Sequence, residues 1–85
     1  MEAEARQERS RRLTPLKREL EKLEARIAVL EREQKERETK LADAEFAKDY
    51  EASGPVFAAH REAAQELEQA LSRWEQVGTE IAALG

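Results

Sequence analysis

The sequence predicts an all-α fold, an antiparallel two-helix coiled-coil hairpin, and three observations carry that prediction. Leu13, Leu16, Leu20, Leu23, Ile27 and Leu30 recur at alternating steps of three and four residues, the spacing of a coiled-coil seam. A second seam lies near the other end, with His60, Leu67, Trp74 and Ile81 at a and Val56, Ala63, Ala70, Val77 and Leu84 at d. Between them the stretch DAEFAKDYEASGP breaks the repeat and ends on Gly54-Pro55. Two apolar stripes each need a partner, and the simplest partner is in the same chain.

Composition agrees. Charged residues make up 40% of the 85-residue chain and aromatics 5%, a balance that suits long solvated helices and argues against a β-sandwich or α/β domain. A chain this short forms at most one small domain of modest stability. With no Cys there is no disulfide, thiolate metal site or cysteine nucleophile. No apolar run approaches the ~20 residues that span a bilayer, and MEAEARQERSRR lacks the apolar core of a signal peptide. A cytoplasmic location without membrane association is the expectation.

Taken in order, residues 1–11 carry no apolar period and read as a basic linker or a helical extension. Helix one is expected over about 14–42, with Thr14 as cap and Pro15 at the first helical position, where a missing N–H costs nothing. In the first seam a falls at Leu13, Leu20 and Ile27, and Arg12, Lys17, Glu19, Glu24 and Arg26 fill e and g. Past Leu30 the seam turns polar at Gln34 and Arg37, which with His60 predict a polar layer near the turn. The connection is expected over about 43–54. Phe46 and Tyr50, four apart, would form one helical turn whose aromatic face covers the hairpin end. Ser53 or Gly54 would cap helix two, about 55–84, with Pro55 at its start. Two such helices make a rod of about 45 Å.

Helix two carries uncharged Phe57, Ala64, Leu71 and Gly78 at its e positions, so its apolar face is wider than a strict seam. Trp74, at an a position among apolar neighbours, is expected as a packing anchor. A turn centred near residue 49 sets Arg26 near Arg73 and Glu19 near Glu80, pairs that repel. A shift of one heptad pairs opposite charges, but burial and loop length favour the loop-centred register, because exposed ion pairs are weak.

The net charge of −4 conceals an uneven distribution. Between Arg6 and Arg26 eight basic residues oppose four acids, whereas from Leu41 onward three basic residues oppose nine. The run Arg6, Arg9, Arg11 and Arg12 reads either as a solvated tether or as an arm that lies on phosphates. On helix one, Arg11, Arg18 and Arg32 share the f position and Lys22 sits one turn from Arg18, a cationic stripe interrupted by Glu21 and Glu36. With Lys17 these are the candidate nucleic-acid-binding residues: Arg6, Arg9, Arg11, Arg12, Lys17, Arg18, Lys22 and Arg32.

Catalytic chemistry finds no footing. Gly54, Gly78 and Gly85 build no phosphate-binding loop. His60 with Ser10, Ser53 or Ser72 makes no recognisable triad, and carboxylates on a two-helix rod face water, where no cavity shifts a pKa. No catalytic, cofactor or metal residue is assigned, and the chain by itself is expected not to be an enzyme.

The order RLTPLKRELEKLEARIAVLE, KLADAEF and LEQALSRWEQV resembles the C-terminal coiled-coil domain of ABC-F ATPases, including the Uup-like group, over about Leu13 to Leu84. Leu41-Ala42-Asp43 followed by Glu45-Phe46 is similar to the family's Leu-Ala-Asp-Pro-Glu-Phe-Tyr turn, and Arg73-Trp74-Glu75 falls at the expected place late in helix two. Ala44 stands where the family often has Pro and Ala47 where it has an aromatic, a role Tyr50 would assume. The resemblance implies a parent ATPase with two upstream ATP-binding domains that use ATP and Mg²⁺, and nucleic-acid partners: DNA for Uup-like members, ribosomal RNA for the wider family. Two functions follow as expectations. The first is a non-catalytic domain that lays a basic helix-one surface on nucleic acid. The alternative is a structural module that braces the parent or forms a weak homodimer through the apolar e row.

Overall fold

The computed structural model describes residues 2–85, and nearly all of them are helical: α1 (Glu2–Ala42), α2 (Ala44–Lys48) and α3 (Tyr50–Leu84). The chain is a helical hairpin of 68 × 15 × 14 Å in which α1 lies along α3. Partners run in opposite order along the two long helices: Glu19 meets Arg73, Arg26 meets Glu66, and the Gln34 amide reaches the His60 carbonyl.

Helix one starts far earlier than residue 14. Residues 2–13 are rich in Glu, Ala, Arg and Gln, all good helix formers, and they propagate the helix through Pro15. Thr14 is not a cap: its hydroxyl donates to the Ser10 carbonyl at 2.8 Å. Pro15 has no N–H for the Arg11 carbonyl. The extension accounts for the length of the rod, since 41 helical residues alone span about 60 Å.

The connection is tighter than residues 43–54. Asp43 leaves helical geometry at φ −75° and ψ 113°, and its carboxylate accepts from the Glu45 amide at 3.0 Å, opening α2. Asp49 closes α2 by donating its amide to the Phe46 carbonyl and opens α3 by accepting from the Ala52 amide at 3.3 Å. An Asp cap is stronger than one from Gly. The cap thus falls four residues before the expected Ser53, α3 begins at Tyr50, and Pro55 lies inside it. Ser53 instead joins two elements. It is buried at 1% exposure, and its hydroxyl donates to the Ala47 carbonyl at 3.2 Å, tying α3 to α2. Because Asp49 interrupts the helix, Phe46 and Tyr50 share no face; Phe46 is half-buried and Tyr50 is 83% exposed.

The reversal centres on Phe46, midway between the two capping aspartates and midway between Arg26 and Glu66. That is one heptad from the register centred near residue 49, and it replaces two repulsions with two attractions. Arg73 donates from Nε and Nη2 to both Glu19 oxygens at 2.6 and 2.7 Å, and Arg26 grips Glu66 in the same way at 2.5 and 2.9 Å. The compact Asp-capped connection and the charges thus select one register.

The core is a thin line. Leu30, Ala63, Ala70 and Val77 are buried, Val77 completely, and the other seam leucines and Ile27 are half-buried. The polar layer forms at the turn end: Gln34, 7% exposed, donates to the His60 carbonyl at 2.9 Å and accepts from Arg37 at 2.9 Å. His60 enters this layer through its backbone, while its ring lies 3.3 Å from Glu38 on the surface. Every buried side-chain polar atom among the described residues has a partner, so the layer fixes register without an unsatisfied group.

Candidate nucleic-acid interface

All eight candidate cations sit on α1 and are exposed, but the helix divides them. At 3.6 residues per turn Arg11, Arg18 and Lys22 fall within a sector of about 40°, and Arg32 lies about 40° beyond its edge. This sector is opposite the Leu13–Leu20–Ile27 row of the seam, so the four point away from α3. Along the helix Arg11 and Arg18 are about 10 Å apart and Arg18 and Lys22 about 6 Å.

Their electrostatic state separates them from the arginines that are held in ion pairs. Arg26, Arg37 and Arg73 are each held by a carboxylate. Among the described residues Arg11, Arg18, Lys22 and Arg32 have no ion-pair partner within 4.0 Å. Their charge is available to an external anion. The paired groups behave as expected for mutual neutralisation: hydrogen bonds from Arg73 and Arg26 hold the Glu19 and Glu66 carboxyls below their ordinary range.

The remaining candidates are placed differently. Arg12 is bound to Glu8 at 3.2 Å and shares a cleft with Pro15, Leu16, Glu80 and Leu84, so it faces α3 and its acid. Lys17 lies at an e position on the flank that also carries Glu24, away from the Arg11–Lys22 row. Counted from the reversal at Phe46, α3 reaches the level of about residue 8, so Arg6 lies beyond it and Arg9 just inside it. Of the eight candidates, Arg11, Arg18 and Lys22 therefore form the one contiguous row, with Arg32 as an outlier.

Trp74 departs from the packing anchor expected of it. It is 39% exposed, its indole N–H donates to Glu24 at 3.2 Å, and it lines an open apolar cleft with Ile27, Ala28 and Leu71. The two flanks of the hairpin thus differ: one carries both bidentate ion pairs, the other Trp74, Leu71 and uncharged e positions. The Glu24 and Ser53 contacts have no sequence signal of their own, because each depends on which residues the reversal brings level. The six-residue spacing of Asp43 and Asp49 about Phe46 is the one local clue to that reversal.

Among the described residues no group of three or more His, Asp or Glu side chains could hold a metal ion, and no helix is long and apolar enough to cross a membrane. Comparison with curated proteins and with solved structures found no match. A family model described as the ABC transporter C-terminal domain matches residues 14–78, from the Thr14-Pro15 step to Gly78 on the open flank. That match covers the Asp-capped reversal and most of both seams, leaving out Leu13, Ile81 and Leu84, and the chain belongs to the ABC transporter C-terminal domain family.

Proposed function

We propose that this chain is the non-catalytic C-terminal domain of an ABC-F ATP-binding protein of the Uup-like kind, an antiparallel coiled coil closed by the Phe46 connection. Its α1 surface binds DNA or ribosomal RNA. The observation that carries the reading is the row Arg11, Arg18 and Lys22, unpaired on the face opposite the seam while the arginines beside α3 are neutralised. Such a row recognises phosphates and reads no bases. On this reading ATP and Mg²⁺ belong to the upstream domains of a cytoplasmic parent, and the hairpin supplies a rigid arm.

Fluorescence anisotropy of labelled duplex DNA and structured RNA tests it. Three phosphate contacts give a log–log salt slope near −2.7 on duplex DNA, so a fourfold rise in salt weakens binding roughly 40-fold. Changing Arg11, Arg18 and Lys22 to Glu abolishes binding, whereas Arg12→Glu has a smaller effect. An unaltered chain that is helical by circular dichroism yet binds neither nucleic acid refutes the reading. The exposed apolar flank of Phe57, Leu71 and Trp74 supports the alternative, a protein-interaction role.

A further inference from the structure

The e row of α3 reads Phe57, Ala64, Leu71, Gly78 at steps of seven. Phe57 is 47% and Leu71 40% exposed, large for apolar side chains on a rod with so small a core. A Cβ placed on Gly78 would meet nothing within 4 Å, so the surface there is open; with Leu20, Trp74 and Ala82 it lines an apolar cleft. Reversed, the row reads Gly, Leu, Ala, Phe. Laid antiparallel on itself it sets each large residue against a small one: Phe57 over Gly78, and Leu71 over Ala64.

The charges beside the row reverse in the same way. Arg61 and Glu75 occupy the adjacent b positions, both exposed, and neither has an ion-pair partner among the described residues. The register that sets Phe57 over Gly78 brings Arg61 of one copy level with Glu75 of the other, twice per pair. Glu68 sits near the axis, where it faces its own counterpart and opposes the pairing, with one Arg61 from each copy about two turns away on either side. Self-complementarity under reversal is the requirement of a two-fold interface, in which the same patch serves both sides.

We infer that the occupant of this flank is a second copy of the chain, docked with α3 antiparallel to α3 and Phe57 seated in the Gly78 notch. This inference stands apart from the nucleic-acid reading, because the Arg11–Lys22 row is on the other helix and faces away from its own α3. In the dimer two such rows are displayed outward.

Sedimentation equilibrium tests it directly. The unaltered 9.7 kDa chain should show a mass rising toward twice that value with concentration. Gly78→Glu should return it to monomer; the substituted side chain has room in the single chain and improves helix propensity, so loss of folding cannot explain the result. Arg61→Glu should weaken association roughly tenfold, and adding Glu75→Arg should restore it. A mass that stays at one copy up to about 1 mM overturns the inference, since it leaves no useful affinity. So does a dimer that Gly78→Glu leaves intact, or one weakened by Arg61→Glu that Glu75→Arg fails to rescue.

Discussion

Replacing Val77 by Ala should destabilise the hairpin more than replacing the larger Leu71 by Ala. Val77 is the one core side chain with no exposed surface. Losing two buried carbon groups removes about 1.6 kcal/mol of transfer free energy at about 0.8 each. A partly relaxed void adds about 1 kcal/mol, and the better helix propensity of Ala offsets about 0.5, for a net loss of about 2 kcal/mol. Leu71 sheds three carbons but is already 40% exposed. About 1.4 kcal/mol of transfer is at stake there, no cavity forms, and the net loss is about 1 kcal/mol. With a urea slope near 1 kcal/mol per molar for so small a domain, midpoints should fall by about 2 M and about 1 M respectively. Urea unfolding followed by circular dichroism, at concentrations where the chain is monomeric, measures both. A Leu71→Ala loss equal to or larger than that of Val77→Ala would refute the assignment of the seam and of the open flank.

Two further tests address the reversal and the register. Asp49→Ala removes the carboxylate that accepts from the Ala52 amide and should cost about 1 kcal/mol in the same assay, whereas Asp49→Gly should cost only a few tenths. Equal losses would show that the Asp49 side chain is not the cap. Glu19 and Glu66 have folded pKa values lowered from the ordinary 4.5, so their pairs contribute fully above that value. Stability should then fall as pH drops below it through the folded values. Glu19→Gln with Glu66→Gln should flatten this loss in an acid titration by circular dichroism, and salt should shrink it because neither pair is buried. An acid profile unchanged by the double substitution would break the link between these pairs and the observed register.

Much of the architecture is legible residue by residue. The 3/4 spacing of Leu13 through Leu30, and its echo from Val56 to Leu84, specifies two helices with one buried stripe each, because helical periodicity is local. The polar layer can be anticipated from Gln34 and Arg37 interrupting that stripe. Helix boundaries read less well. Thr14-Pro15 and Ser53-Gly54-Pro55 carry the chemistry of helix starts, yet both lie inside helices. Strong flanking helix formers outweigh Pro15, and the Asp49 cap pre-empts Ser53.

By itself the sequence determined the helices, the two seams, the concentration of basic charge on α1 and the presence of surplus apolar residues on α3. All are properties of one segment at a time. Tertiary structure alone decided which charges are neutralised and which stay free, because that depends on register. Register in turn follows from where the chain reverses, and a reversal at Phe46 instead of near residue 49 moves every cross-helix neighbour by seven residues. That single shift joins Arg26 to Glu66 and Glu19 to Arg73. It also sets Trp74 beside Glu24 on the open flank, a neighbour that no single segment reveals.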